Sequence, residues 1–209
     1  MSFENRHLNT SGPVIIITAP SGSGKTTLVK HLLSQFPQLN FSISATTRSQ
    51  RPMESNGKDY HFITTEYFFK LREDGLLVEW EEVYPGQFYG TLYPELTKIW
   101  DKGNIVLFDV DVMGALALKK KFPAHSLSIF IKAPSLEVLS ERLKKRSTEN
   151  EESLRKRILK AEQETGYANS FDVVLINDNL IEAQQQITTL VNHFLNQLNH
   201  SWKHVATNP

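Results

Sequence analysis

The sequence predicts an α/β fold, a doubly wound parallel sheet built around a phosphate-binding loop (P-loop), with a small mixed α/β insertion and a helical arm. Three observations carry this. Apolar strand signals alternate with helix signals along the 209 residues. The first strand runs into a small-residue loop ending in Gly-Lys-Thr and then into a helix. Two segments of different texture interrupt the alternation.

Val14–Thr18 has no polar alternation and reads as a strand buried on both faces. A helix follows from about Gly24 to Gln35, and Pro37 stops it. Ile105–Phe108, led in by Gly103-Asn104, reads as a second buried strand, with a helix over Val112–Lys121 ending before Pro123. Leu127–Ile131 is the third strand, and Pro134-Ser135 opens a further helix with Ser135 as its cap. Val173–Ile176 is the fourth strand, and Ile181–Leu198 is a closing amphipathic helix.

The first interruption, Phe41 to about Leu92, is rich in Thr, Tyr, Phe and Gly. It reads as a mostly antiparallel insertion with strands at Tyr60–Ile63 and Leu76–Val83 and a helix near Glu66–Arg72. The second, Leu136 to about Tyr167, is highly charged with little apolar surface to bury, and reads as a helical arm. The resulting division is a discontinuous core (1–42, 93–135, 168–209), an acceptor insertion (43–92) and a lid (136–167). A phosphoryl-transfer site must exclude water, so a core with an insertion and an arm suggests a chain that closes. The stretch from Asn199 to Pro209 carries no motif and is expected to fray.

Lys+Arg and Asp+Glu each number 23, so bulk attraction to nucleic acid or an acidic membrane is not indicated and any cationic site is local. Cysteine is absent, which excludes disulfides, zinc thiolates and a thiol nucleophile. The polar N-terminal segment lacks a signal-peptide core, and no apolar run approaches the ~18 residues of a membrane span. The expectation is a cytoplasmic protein; its state, monomer or homo-oligomer, is undecided.

The loop reads Ala19-Pro20-Ser21-Gly22-Ser23-Gly24-Lys25-Thr26-Thr27. Backbone N–H groups of such a loop point at phosphate oxygens, Lys25 reaches the β- and γ-phosphates, and the Thr26 hydroxyl can ligate Mg²⁺. The helix behind it adds its positive end. The usual pattern begins with glycine where Ala19 stands.

A second cluster is Ser44-Ala45-Thr46-Thr47-Arg48-Ser49-Gln50-Arg51-Pro52 with Asn56-Gly57-Lys58-Asp59-Tyr60. Two arginine forks among hydroxyls suit a monophosphate. Taken alone, the peptide reads equally as a solvated basic loop. A third is Glu79-Trp80-Glu81-Glu82 leading to Gln87-Phe88-Tyr89-Gly90-Thr91. A carboxylate on a strand accepts the adjacent N–H donors of a guanine edge and repels adenine there. Glu79 and Glu81 share a strand face, so spacing leaves both open.

These motifs together resemble the guanylate kinases over roughly Val14 to Leu190, with Asp-x-Asp at Asp109–Asp111 completing the set. In that family the first loop glycine is commonly alanine, as at Ala19. The resemblance implies an enzyme that transfers the γ-phosphoryl of ATP to GMP, and to dGMP, with Mg²⁺, in purine nucleotide metabolism. It implies that Ala19 to Thr27 and Asn177 hold ATP. Ser44, Glu79 and Thr91 would contact guanine, and Arg48, Arg51, Tyr60 and Tyr89 the GMP phosphate. Asp109 would face the acceptor, and Asp111 would reach Mg²⁺ through water, although Asp111 also suits a helix cap. Arg142, Arg146 and Arg157 would close over the donor phosphates, with Lys25, Arg48 and Arg51 as further catalytic groups. Most other charges of the arm read as solvated pairs such as Glu141–Lys145 and Glu152–Lys156. Asn177-Asp178 also reads as a turn.

The sequence departs from the family at three places. Lys145-Arg146-Ser147 stands where glycine is usual, which stiffens or moves the lid hinge. Met113 replaces a glutamine, and Tyr84-Pro85-Gly86 is one residue longer than usual.

Overall fold

The computed structural model describes residues 12–146 and 151–201, without the side chains of 146 and 199–201. Its core is a parallel sheet of five strands in the order β2-β7-β1-β8-β9: Leu39–Phe41, Ile105–Asp109, Val14–Thr18, Ser126–Lys132 and Val173–Ile176. The sheet is parallel throughout, with β1 between β7 and β8.

The sheet's two-residue period separates two apolar layers. Ile15 and Ile17 face α1 (Lys25–Gln35) and α7 (Leu180–Ser201), where Leu28, Leu32, Ile187 and Val191 are buried. Val14 and Ile16 face α3 (Tyr93–Trp100) and α4 (Val112–Lys121), where Leu96, Ala115 and Leu118 are buried. All five residues of β1 are inaccessible to solvent, which explains its unbroken apolar run. At the far edge Asp172 ties β9 to β8: it accepts from Ser128 N at 2.9 Å, Ser128 Oγ at 2.6 Å and Lys119 Nζ at 2.7 Å.

The insertion forms a second sheet, β4-β3-β6-β5, from His61–Phe62, Ala45–Thr46, Gln87–Leu92 and Leu77–Tyr84. Only β3–β4 is parallel. Helix α2 (Thr65–Glu73), capped by Thr64 Oγ1 on Tyr67 N at 3.2 Å, packs Phe68 and Leu71 onto Ala45 and Leu77. The β5–β6 hairpin turns at Pro85-Gly86, with Gly86 at φ 75°. A bulge lies between Glu82 and Tyr84, and beyond it Tyr89 faces Glu81 and Thr91 faces Glu79.

The arm is two helices, α5 (Leu136–Arg146) and α6 (Glu151–Thr165). Ser135 Oγ caps α5 by accepting from Val138 N at 3.3 Å. Contrary to the expectation of little apolar surface, the arm buries a seam of Leu139, Leu143 and Ala161, with Leu154 and Ile158 against it. Helix α7 continues past Leu198 to Ser201; residues 202–209, the rest of the expected frayed tail, lie outside the described residues, as does Ser147.

Candidate phosphoryl-transfer site

The site gathers at the carboxyl ends of β1 and β7, beside the point where the strand order reverses. The loop from Ala19 to Thr27 leaves β1 there. Gly22 and Gly24 both have φ 92°, a left-handed conformation that other residues adopt at a cost. Gly24 is the N-cap of α1 and supplies no side-chain bond, so the first turn faces the loop's concavity uncapped. Thr26 and Thr27 are exposed on that turn.

Lys25 is aimed by two contacts from the end of β7. Its Nζ donates to Val110 O at 2.8 Å and pairs with Asp109 Oδ1 at 2.5 Å. Asn177 fixes the loop from behind: buried after β9, it donates Nδ2 to Ser23 O at 2.8 Å. A Cβ on Gly24 would collide with that amide. Arg142 of α5 donates to Asn177 O at 2.9 Å and Asp178 O at 3.4 Å. A cavity of about 310 Å³ lies between the loop, Arg142, Asp178 and Leu180. Leu143 packs on Gly22, where an added Cβ would come within 3.0 Å of it. Arg157 of α6 donates to Ser21 Oγ at 2.7 Å, so the second helix of the arm reaches the loop too. Arg146 ends α5, and its side chain lies outside the described residues. Of the two expected solvated pairs, Glu152–Lys156 forms at 2.8 Å between largely exposed side chains.

On the insertion, Arg48 donates Nε to Tyr89 Oη at 3.0 Å and lies over the rings of Tyr60 and Phe62, at 5.3 and 5.5 Å from their centroids. Tyr60 and Tyr89 meet edge to face at 5.9 Å. Burial pushes the Tyr60 hydroxyl above its ordinary range, and among the charges it feels are Arg48 and Asp109. Arg51 is exposed at the rim. The Arg48 fork itself is filled by Glu54, at 2.9 and 2.8 Å, a residue that motif spacing did not single out.

At the other end of the cleft Thr91 Oγ1, fully buried, donates to Glu79 Oε1 at 2.6 Å. Burial pushes the Glu79 carboxyl up, and the Thr91 bond works against that. Ser44 stands just before β3, its carbonyl accepting from His61 N at 2.9 Å. Gly114 of α4 lies against Glu79 Oε2, which a Cβ would meet at 3.3 Å. A glycine within a run of helix formers was the available signal for this close approach. Asp111 caps α4, Oδ1 accepting from Gly114 N at 2.7 Å. Its carboxyl also faces Glu81, whose own carboxyl is pushed up to about 8, first by burial and then by Asp111. Glu81, Asp111, Met113, Lys160 and Glu164 border a cavity of about 560 Å³ between β5, α4 and α6, and Met113 is 49% exposed in it. Glu79 and Glu81 therefore both face the cleft.

The glycine-rich loop and its lysine after the central strand, opposed by an arginine–tyrosine cluster and overhung by a helical arm, define a P-loop nucleotide-binding phosphotransferase. The guanylate kinase family model matches residues 11–194. The guanylate kinase of Salinibacter ruber is 44% identical over 182 residues, covering 87% of this chain and 96% of the relative. That of Porphyromonas gingivalis is 44% identical over 183 residues, covering 87% and 97%. The crystal structure of guanylate kinase from Anaplasma phagocytophilum superposes with a TM-score of 0.70 at 30% identity, covering 87% of this chain and 85% of that one. This chain belongs to the guanylate kinase family.

Proposed function

We propose that this chain phosphorylates GMP, and dGMP, with ATP, giving ADP and the corresponding diphosphate. The observation that carries this reading is the position of Asp109. It pairs with Lys25 on the donor side and acts electrostatically on Tyr60 on the acceptor side. Two phosphorylated groups brought to those two side chains would meet at one carboxylate.

In this reading residues 43–92 carry the acceptor, 136–167 close over the donor, and the rest forms the core. ATP lies along Ala19–Thr27, with its nucleoside in the cavity beside Arg142 and Asp178. Asn177 acts through its bond to Ser23 O, as a residue that holds the loop. The acceptor phosphate meets Arg48, Arg51, Tyr60 and Tyr89. Guanine lies against Glu79 and Ser44, with Thr91 orienting the Glu79 carboxylate. The acceptor phosphate is itself the nucleophile and is largely ionised at neutral pH, so no general base is required. Catalysis is alignment of the two nucleotides plus stabilisation of spreading charge by Lys25, Arg157, Arg142 and Arg146.

Thr26 Oγ and the two carboxylates of the Asp-x-Asp are hard oxygen donors that suit Mg²⁺. Among the described residues no group of three or more His, Cys, Asp or Glu side chains could hold a metal, so the ion would come with the nucleotide. It would supply neutralisation of the β- and γ-phosphate charge, held by Thr26 and, through water, by an aspartate. The geometry favours Asp109 for that part, because it lies beside Lys25. Asp111 is engaged with Gly114 N and Glu81 at the base end, which favours a guanine-side role, the reverse of the expected allocation.

No helix among the described residues is long and apolar enough to cross a membrane. Absence of cysteine fits a reducing cytoplasm, where ATP and GMP are both supplied. A coupled ADP-production assay with GMP, dGMP, AMP, CMP and UMP in parallel tests the reading. Turnover is expected with the two guanine nucleotides; equal turnover with AMP, or none with GMP, would overturn it.

A further inference from the structure

A guanidinium has five N–H groups. Arg48 donates Nε to Tyr89 Oη, one terminal nitrogen to Ser49 O at 2.7 Å and Glu54 Oε2 at 2.9 Å, and the other to Glu54 Oε1 at 2.8 Å. These four bonds leave one N–H, on the nitrogen that meets Glu54 Oε1. The two-point grip that a phosphate would seek is already taken by a carboxylate. Both side chains of the pair are largely enclosed, 12% and 16% exposed.

Glu54 is itself held in place. Its Oε2 also accepts from Arg51 N at 2.8 Å, its own N donates to Arg51 O at 3.0 Å, and the Gln50 side-chain amide donates to its carbonyl. The Arg48 guanidinium also lies over the Tyr60 and Phe62 rings, 5.3 and 5.5 Å from their centroids, contacts too weak on their own to fix how its fork is turned.

We propose that Glu54 is a positioning residue for the acceptor phosphate: its carboxylate locks Arg48 so that a single N–H, with the Tyr60 and Tyr89 hydroxyls, forms a phosphate cup, while the exposed Arg51 supplies the net positive charge. The proposal rests on the reading of GMP as acceptor and goes beyond it by dividing labour between the two arginines. Arg48, neutralised by Glu54, contributes geometry. Arg51 contributes attraction.

The test turns on a sign. Removing a negative charge beside a phosphate subsite should by Coulomb's law strengthen phosphate binding. If Glu54 instead holds Arg48 in register, its loss weakens binding. Steady-state KM values for GMP and ATP are measured for the wild type, Glu54→Gln and Glu54→Asp, together with inhibition by guanosine, which has the base and lacks the phosphate. The expected result for Glu54→Gln is a KM for GMP raised about tenfold or more. The KM for ATP and the inhibition constant of guanosine stay within about twofold, and Glu54→Asp recovers part of the loss. A lowered KM for GMP would mean that Glu54 is a stand-in displaced by substrate, and would overturn the proposal. So would an unchanged KM, or a rise shared equally by guanosine. If Glu54→Gln does not fold, Glu54→Asp is judged by the same split at smaller amplitude. Wild-type turnover of GMP in the same assay separates failure of this inference from failure of the acceptor assignment.

Discussion

Lys25 is pre-aimed by Val110 O and Asp109, so its contribution is electrostatic and directional. Lys25→Ala is expected to lower kcat by about 10³-fold, the scale of losing one preorganised charge at a phosphoryl group. Its melting temperature should stay near wild type, because Asp109 remains partly solvated; near-normal kcat would sink the loop assignment. In the proposed site Glu79→Gln would replace one acceptor oxygen with a donor set against guanine's own N–H groups. The expected outcome is a KM for GMP raised roughly 10–100-fold with the KM for ATP nearly unchanged, measured with each substrate varied in turn. Lys25 was legible in the sequence from its strand–loop–helix context, whereas Arg48 and Glu79 were singled out only through the family resemblance, since alone the basic loop reads as solvated and Glu81 shares the strand face of Glu79. Glu54 was not legible, because its importance lies in the guanidinium it touches six positions away; Gly114 carried a signal as a glycine in a helical run, but the carboxylate it meets lies on another element. The allocation proposed above for Asp109 and Asp111 likewise rests on their contacts, which spacing does not give. Two positions apart, Asp109 pairs with Lys25 while Asp111 caps α4 and faces Glu81.

At the scale of elements, the buried parallel strands and long helices were readable because each is apolar in its own period. Four elements were not read: β2, the two-residue β3, β6 opposite β5, and α3. Strand β2 has only three residues, and a run of Leu39-Asn40-Phe41 is too short to show a period. Helix α3 has eight, with Pro94 in its first turn and Glu95 beside it; that signature, with Leu96 and Ile99 three apart, was available but sat next to the tyrosine-rich insertion. The arm's apolar seam was hidden by its density of charge, since Leu139, Leu143 and Ala161 are few among many ions. The hairpin of β5 and β6 offers a test of element packing. A Cβ on Gly90 would come within 3.0 Å of Glu79 O, 3.1 Å of the Phe68 ring and 3.2 Å of Trp80 Cβ. Gly90→Ala should therefore destabilise the insertion by about 1–3 kcal/mol and lower the melting temperature. It should also displace Glu79 and raise the KM for GMP.

The whole molecule has no net charge, yet its carboxylates are pulled in opposite directions. Glu81 is raised to about 8, and Glu79 and Glu164 are raised by burial as well. A group raised in the folded state contributes stability that is full below its unfolded value and lost as pH climbs through the folded one. Glu54, held to about 2 by Arg48 and the Arg51 N–H, does the opposite: its contribution is present above the unfolded value near 4.5 and lost only as pH falls through about 2. Asp172 is lowered too, because Lys119 and Ser128 outweigh its burial. Stability should thus peak on the acid side of neutrality and decline toward about pH 8. Thermal melts across that range should show the decline, and Glu81→Gln should flatten it; an unaltered slope would show that the Glu81–Asp111 pair holds no proton. One contact also reaches beyond any single measurement. Ser23 and Asn177 are 154 positions apart, and the Asn177 amide fills the space where Gly24 would carry a side chain. The two sites form an epistatic pair. A substitution at 24 is barred by its backbone angle and by its distant neighbour together, so drift at either end of the chain is constrained by the other, and a Gly24→Ala, Asn177→Gly double mutant should recover more than the separate changes sum to.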